Sequence, residues 1–553
     1  MSSPQKNPSF KTEHPSPLIA NIRPPLESYL YPTFCFFFGL LLISKIIGFL
    51  PLIQTTTIGW KTFSGSLALV ISFHLILFIL ARLYQKIYTA CHFLFLYMIL
   101  LLSIYLLFII NNIFFSIPDR ILVRLSLLLL TFPLLIRWKD IQLAQWRWPH
   151  FSYKDILIAL WTLNAFLFFA RFNLNVDRLP YIDEIHLWYV ASRDMIQHGV
   201  LIAHTFPYPG AGAYPLGIPF ISSLPALFWG SLDLRTIYLM PIANILCLVF
   251  FLNHIKTSRW GFLFFLCALS AVFYQRAWLS FFLYGLTYGE GLSTIFLLIT
   301  TFQWIRISDD PTPSPQTVWW TSAGIGLLAL TKGPLTTLTL PIFLIFLASL
   351  IWNKKSLGQK ISVREIFFST ALAILPSLSW KAFTVIWPVY TLNFSHLLSA
   401  QELLTRLPHP HQWMLTGLFF LMWGNSNNFF FYGPLALLLY ICFSKKLVQG
   451  TPLLILLSGA FIYYAFYYNY GINAGDPGSS LRYSMPAFLA LFYLGSRGFE
   501  NLMRSIEESA WPSLRKMTMY TALYLPMIWG LAETKTAEKI VNLITWVFRG
   551  FSS

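Results

Sequence analysis

Two adjacent carboxylates, Asp183 and Glu184, follow directly on an apolar segment in the stretch RLPYIDEIHLWYVASRDMIQHGV, residues 178–200. A carboxylate at a membrane surface is partly desolvated, which raises its pKa toward the range in which it can act as a general base. The same residues also suit a helix start, with Asp183 as the N-cap and Glu184 as a first-turn acid favoured by the helix dipole. The two interpretations are compatible, because a capping residue can also face a cleft.

The residues after this pair have the spacing of an amphipathic helix. Apolar or small side chains recur at helical intervals at Ile185, Trp188, Tyr189, Ser192, Met195 and Ile196. The opposite face carries Glu184, His186, Arg193, Asp194 and Gln197. Gly199, after His198, predicts the end of the helix. We expect this helix to lie in the membrane interface, with its Trp and Tyr side chains at headgroup depth.

A segment rich in proline, glycine and aromatic residues comes next, TFPYPGAGAYPLGIPFISSLPALFWG, residues 205–230. Five prolines prevent it from forming one straight helix. It suits a re-entrant or surface-lying element, which at membrane depth is tolerated only against protein or a water-filled cavity. A cleft at the outer interface is therefore expected.

The composition sets the class of protein that must position these residues. Of the 553 residues, 56% are hydrophobic and 11% charged, whereas soluble domains carry roughly 25% charged residues. Repeated apolar runs of about twenty residues are long enough to cross a hydrocarbon core of about 30 Å. The sequence predicts an all-α polytopic membrane protein with roughly 13–15 transmembrane helices and interfacial helices in its first large outer loop.

The net charge of +17 does not indicate nucleic acid, because the cations lie in short loops between predicted spans. If the N-terminus is cytoplasmic and the spans alternate, nearly every cationic cluster lies on the inner side. The outer loop 172–235 and the outer stretch 389–426 then lie on the other side. The five cysteines have no paired or CxxC spacing, so we expect no structural disulfide or metal site.

The chain divides into four predicted regions. A disordered cytoplasmic tail, 1–29, precedes a module of about four spans at 30–150. The core covers 151–531 and contains the outer loop 172–235, and a tail or short amphipathic helix occupies 532–553. The short predicted spans at 319–331 and 334–352 are also interpretable as a broken pair. We expect a multi-pass protein of a bacterial-style plasma (inner) membrane.

Four stretches, in order, resemble motifs of one family: YIDEIHLWYVASRDMIQHG with the following YPLGIPF, LTYGEGLSTIFLL, LLALTKGPLTTLTLP and SLRYSMPAFLAL. They are similar to segments of the GT-C superfamily of integral-membrane glycosyltransferases, in the branch of protein O-mannosyltransferases and lipid A aminoarabinose transferases. The likeness covers about residues 155–530 and implies a GT-C-like catalytic core. In that family the acidic motif follows the first span, so residues 30–150 are interpreted here as an added module.

The resemblance implies transfer of a sugar from a polyprenyl-phosphate donor to an acceptor hydroxyl, with inversion, at the outer face of the membrane. By position, Asp183 would take the acceptor proton and Glu184 would hold the acceptor or orient the site. The leaving phosphate needs fixed positive charge, for which Arg482 and Lys332 are the candidates. The alternatives are an ordinary loop cation for Arg482 and a lysine snorkelling at a span end for Lys332.

Three further residues are weaker candidates for lining the cleft. These are His186, Tyr214 of the Tyr-Pro segment, and Glu290 between two glycines, which can also cap its span. No cofactor is firmly predicted, and a divalent cation held by Asp183 and Glu184 stays an open alternative. The expected partners are the lipid bilayer, the polyprenyl-phosphate-linked sugar donor and a glycan, lipid or protein acceptor.

Two other classes of function remain. A transporter or flippase for an isoprenoid-linked or amphipathic substrate would need polar residues within the membrane and often has internal repeats. A non-catalytic envelope scaffold would be indifferent to neutralisation of Asp183. Only the transferase releases free polyprenyl phosphate.

Overall fold

The computed structural model describes residues 27–54, 60–137, 152–173, 189–199, 217–274, 289–310, 313–331, 333–356, 362–386, 429–443 and 477–531. These residues are helical, with short connections and no β-strand. The helices are α1 (Glu27–Gln54), α2 (Trp60–Ile87), α3 (Phe93–Phe114), α4 (Asp119–Ile136), α5 (Tyr153–Asn173), α6 (Val190–His198), α7 (Gly217–Trp229), α8 (Pro241–Ile255), α9 (Arg259–Tyr274), α10 (Gly289–Asp309), α11 (Pro315–Leu328), α12 (Gly333–Ser356), α13 (Val363–Ile386), α14 (Phe429–Phe443), α15 (Pro477–Glu508) and α16 (Ser513–Leu531). A 3-10 helix, Leu234–Leu239, precedes α8.

Seven helical stretches in the described part of the chain are long and apolar enough to cross a membrane. They are Leu30–Gly48, Phe63–Ile87, Phe93–Phe114, Tyr153–Ala170, Leu234–Ile255, Gly291–Asp309 and Val363–Phe383. The prediction of an all-α, multi-pass membrane protein is confirmed at this level. The count of roughly 13–15 transmembrane helices stays a prediction.

Helix α3 lies at the centre of the bundle. It has no charged residue, and a helix that is apolar on every side must be covered by other helices. The ring of Tyr97 stacks on Phe78 of α2 with centroids 4.0 Å apart, and the ring of Phe95 packs against Gly324 of α11. The predicted N-terminal module therefore shares one buried core with the region from 151 onward.

Small residues allow the later helices to approach closely. A Cβ atom on Gly498 of α15 would stand 2.2 Å from the carbonyl oxygen of Leu439 in α14. Gly495, one turn earlier, meets Ala436 in the same way. Small residues spaced by about one turn are how membrane helices bring their backbones into contact without a hydrophobic driving force between them.

One end of the bundle is rich in cations, and we call it the basic end. There Lys256 bonds to Asp155 at 2.6 Å, Arg497 bonds to Asp309 at 3.1 Å, and Lys354 forms a buried pair with Glu365 at 2.6 Å. These pairs join the end of α8 to the start of α5, the end of α10 to α15, and the end of α12 to the start of α13.

The two short spans predicted at 319–331 and 334–352 overlap the neighbouring helices α11 and α12, and residue 332 between them lies outside the described residues. Helix α11 has 14 residues, which is about 21 Å and short of a hydrocarbon core of about 30 Å. Pro313 before α11 and Lys354 in the last turn of α12 line one small cavity at the basic end. The connecting turn, residues 329–331, therefore points toward the opposite end of the bundle.

Candidate functional site

Most of the residues singled out in the sequence lie outside the described part of the chain. Asp183, Glu184, His186, Tyr214 and Lys332 are among these undescribed residues. Glu290 lies in the first turn of α10, which begins at Gly289, and Arg482 lies on α15. The side chains of these two residues are not described. What the structure does place are the elements immediately before and after each candidate.

Helix α6 carries the chain away from the acidic pair and ends where the sequence predicts. Gly199 has a left-handed φ of 68°, and its N–H donates to the carbonyl oxygen of Met195 at 2.9 Å. This is the conformation for which glycine is favoured at a helix end. The predicted stop is confirmed.

The end of α6 is anchored by the start of α4, a contact between segments far apart in sequence. The backbone N–H of Asp119 donates to the carbonyl oxygen of Gly199 at 2.7 Å. The guanidinium of Arg120 donates to the carbonyl oxygen of Ile196 at 2.7 Å. Both bonds satisfy carbonyl groups that a helix end leaves without an intrahelical partner. The predicted N-terminal module therefore positions the helix that follows the acidic pair.

The polar face predicted for α6 is wrong at Asp194. Its side chain is buried and pairs with Arg193 at 3.1 Å. On the predicted apolar face, the Ser192 hydroxyl donates to the carbonyl oxygen of Pro219 at 3.0 Å, and Met195 contacts Ser223. The helix therefore packs on α7 as part of the protein core, instead of presenting this face to lipid. Helical spacing alone does not reveal that a second protein element covers the helix.

Helix α7 is a described part of the proline-rich segment. Its residues from Gly217 to Leu227 are all buried, and its 13 residues span only about 20 Å. It is thus a short apolar helix covered by protein, and the re-entrant element stays a prediction. Residues 201–216 lie outside the described part of the chain.

The start of α7 rests directly on the turn between α11 and α12. A Cβ atom on Gly217 would stand 2.3 Å from the carbonyl oxygen of Leu330 and 3.3 Å from the ring of Tyr105. Tyr105 lies about 18 Å along α3 from Phe93, so this contact is deep within the bundle. The contact brings the YPLGIPF segment against the LLALTKGP segment, two residues before Lys332.

A third motif meets the same turn. The hydroxyl of Ser293, in the first turns of α10, lies 3.4 Å from the hydroxyl of Thr331, which also donates to the carbonyl oxygen of Leu328 at 2.8 Å. Ser293 follows Glu290 by three positions, which is one helical turn. Three of the four motif segments therefore converge on residues 330–331.

The fourth motif approaches the same end of the bundle. Helices α10 and α15 run in the same direction, because Phe302 lies beside Tyr493 with centroids 5.6 Å apart and Asp309 pairs with Arg497 at 3.1 Å. Counting back along each helix puts Glu290 about 28 Å from Asp309 and Arg482 about 22 Å from Arg497. Both candidates thus lie toward the end opposite to the basic end.

Asp119 is a residue that the sequence reasoning missed. Its side chain is 1% exposed, and its Oδ2 atom has no hydrogen-bond partner among the described residues. Burial raises the pKa of this carboxyl to about 8. It belongs to the predicted N-terminal module, and a lone Asp after Pro118 resembles an ordinary helix start. This protonated side chain lies beside the two hydrogen bonds that hold the end of α6. Its Oδ2 is the one buried carboxyl oxygen without a hydrogen-bond partner in the described part of the chain.

The described residues contain no group of three or more His, Cys, Asp or Glu that could hold a metal ion. The five cysteines are free thiols. The fold defines a polytopic all-α membrane protein in which three of the motif segments meet at residues 330–331. Comparison of the chain with protein-family models, characterised proteins and solved structures finds no match.

Proposed function

We propose that the chain is a membrane glycosyltransferase of GT-C type that transfers a sugar from a polyprenyl-phosphate donor to an acceptor hydroxyl. The observation that carries the proposal is the meeting of the YPLGIPF, GEGLS and LLALTKGP segments at Gly217, Ser293 and residues 330–331. Segments far apart in sequence that share one place in the fold are typical of a site. In this case the place lies within an apolar bundle, where a lipid-borne donor is soluble.

In the proposed reaction, Asp183 removes the proton of the acceptor hydroxyl while the acceptor oxygen attacks the anomeric carbon of the sugar. The bond from that carbon to the phosphate oxygen breaks, and polyprenyl phosphate leaves with the electron pair. Glu184 holds the acceptor or orients the site. Arg482 and Lys332 stabilise the leaving phosphate, because a guanidinium matches its oxygen geometry and a lysine at membrane depth requires an anionic partner.

The site is proposed to face the outside of a plasma membrane. The positive-inside rule assigns the basic end to the cytoplasm. The junction of α4 with α6 lies toward the other end, and the hairpin turn lies deep within the bundle. A donor that diffuses in the bilayer and an acceptor on the water side would meet there.

The test uses full-length protein in membranes supplied with polyprenyl-phosphate sugars and extracted envelope acceptors. Mass spectrometry follows polyprenyl phosphate release and mass gain on an acceptor. We expect release by the wild type, none by Asp183→Asn, and unchanged release by the matched variant Asp310→Asn, whose carboxyl lies at the basic end. Activity of Asp183→Asn above a few per cent would remove Asp183 as the base.

Arg482→Ala supplies a second test, of donor binding. We expect it to raise the donor concentration needed for half-maximal release, because a charge-assisted contact to phosphate is lost. An unchanged donor dependence would contradict the phosphate role of Arg482.

A second candidate function rests on the same geometry. Short or broken helices that meet within a bundle are also how secondary transporters build their substrate sites, and α7 and the α11–α12 turn fit that description. A transporter would move intact lipid-linked substrate across the bilayer without releasing polyprenyl phosphate. The mass-spectrometric measurement therefore separates the two.

A further inference from the structure

A second polar cavity opens at the basic end, between α8, α10 and α15. Its volume is about 660 Å³, within the range of about 300–1,000 Å³ that holds small ligands. It lies about 22–24 Å, measured along α10 and α15, from Glu290 and Arg482. It is thus separate from the proposed transferase site.

More positively than negatively charged side chains line the cavity. Three arginines, Arg306, Arg497 and Arg504, face it together with two carboxylates, Asp309 and Glu500. Both carboxylates are engaged by cations. Asp309 accepts from Arg497 at 3.1 Å, and Glu500 lies 3.6 Å from Arg504.

Glu500 has a further structural task. One of its oxygens accepts hydrogen bonds from the Ser258 hydroxyl at 2.9 Å and from the backbone N–H groups of Trp260 and Gly261 at 2.8 Å each. It thereby caps the start of α9, as a carboxylate at a helix N-terminus does. The other oxygen, Oε1, lies 3.6 Å from Arg504, so both oxygens of Glu500 already have partners.

Arg306 is the arginine that these carboxylates do not neutralise. Its guanidinium donates to the carbonyl oxygen of Thr89 at 3.1 Å, and it has no carboxylate within ion-pair distance among the described residues. A guanidinium presents five donors, so one carbonyl bond leaves most of them available. It faces the cavity from the last turn of α10.

A pair of histidines supplies another hydrogen-bond donor beside the same cavity. The backbone N–H of Leu94 donates to Nδ1 of His92, which assigns the His92 proton to Nε2. That atom lies 3.1 Å from Nδ1 of His254, which in turn assigns the His254 proton to its own Nε2. His254 lines the cavity, and its Nε2–H has no hydrogen-bond partner among the described residues. This N–H is therefore the ring donor that His254 has left for an occupant of the cavity that it lines.

We propose that this cavity binds a phosphate group, held by the Arg306 guanidinium and the His254 Nε2–H. A phosphate supplies the anionic oxygens that a guanidinium binds with two parallel bonds, and it accepts from the imidazole as well. The aromatic walls from Phe302 and Tyr493 suit the apolar part of a ligand that carries the phosphate. The phosphate belongs either to a lipid headgroup or to a soluble phosphorylated molecule from the cytoplasmic side, and the experiment distinguishes these sources.

The first arm titrates inorganic pyrophosphate into the full-length protein in neutral detergent, by calorimetry at constant ionic strength. The second arm compares unfolding temperatures in phosphatidylcholine nanodiscs with and without phosphatidic acid. We expect Arg306→Gln to weaken pyrophosphate binding about tenfold or more, or to reduce the rise in unfolding temperature caused by phosphatidic acid to a similar degree, because a charged hydrogen bond is lost. Arg364→Gln is the matched control, because Arg364 lies at the same end but packs over the Phe368 ring, 5.5 Å from its centroid.

A second variant guards against misfolding of the first. His254→Phe keeps a ring beside Phe302, where the centroids are now 4.9 Å apart, and removes the Nε2–H donor together with the Nδ1 acceptor that His92 uses. A response to pyrophosphate alone would indicate a soluble ligand, and a response to phosphatidic acid alone would indicate a lipid headgroup. The proposal is overturned if the wild type responds to neither probe, or if Arg306→Gln and His254→Phe both respond as the wild type does.

Discussion

Replacement of Gly217 by alanine tests the contact on which the proposed function depends. The added Cβ would stand 2.3 Å from the carbonyl oxygen of Leu330, whereas real Cβ contacts stay above 3.0 Å. Because the obstructing atom belongs to the backbone, a side-chain rotation cannot relieve the overlap. The start of α7 and the turn at residues 329–331 must separate by about 0.7 Å, the difference between these two distances.

The expected cost follows from overpacking of a buried contact, about 1–3 kcal/mol of unfolding free energy. The effect on activity is expected to be larger. A displacement of about 1 Å between groups that must act together can lower a rate about hundredfold. We therefore expect Gly217→Ala to unfold a few degrees below the wild type and to release polyprenyl phosphate about 10–100 times more slowly.

Gly65→Ala is the matched control. Gly65 also lies in a helix, α2, but a Cβ there meets nothing within 4 Å. The substitution should leave activity unchanged and stabilise the protein by up to about 1 kcal/mol, because alanine is the better helix former. Thermal unfolding of the purified proteins and the release assay are run side by side.

Two outcomes would contradict the reasoning in different ways. If Gly217→Ala matches Gly65→Ala in both assays, α7 does not rest on Leu330. If Gly217→Ala loses stability but keeps its activity, the contact exists and the site lies elsewhere.

Two further predictions concern buried charges. Burial raises the pKa of Asp119 to about 8, so the folded state holds a proton that the unfolded state has already lost. Wild-type stability should therefore fall as the pH rises from about 4 to about 8, by at most about 1.4 kcal/mol per pH unit. Asp119→Asn should flatten this slope and be the more stable protein at pH 8, and parallel slopes in a pH series of unfolding temperatures would refute the assignment. Lys354→Met should cost about 3–5 kcal/mol because it strands the buried Glu365 carboxylate, whereas the double variant with Glu365→Leu should recover most of that loss. Equal unfolding temperatures for the single and the double variant would contradict this.

The candidate site was predictable from the sequence in part. Order along the chain identified the four motif segments, and the fold places three of them on one turn. The roles of Asp183, Glu184, Arg482 and Lys332 stay predictions. Asp119 and the His92–His254 pair could not be found in this way. Asp119 contacts Gly199, far along the chain, and the two histidines are 162 positions apart in the sequence.

The sequence by itself determined that this chain is a bundle of membrane helices, because an apolar run of about twenty residues has only one way to satisfy its backbone in lipid. It also determined local features, such as the helix end at Gly199, because the left-handed conformation at a helix end favours glycine. Only the tertiary structure decided which polar groups are buried. Asp194 occupies a helix face that its spacing marks as solvent-exposed, yet packing of α6 within the bundle buries it. Burial is a property of contacts between distant segments, and periodicity along one helix carries no information about what packs against it.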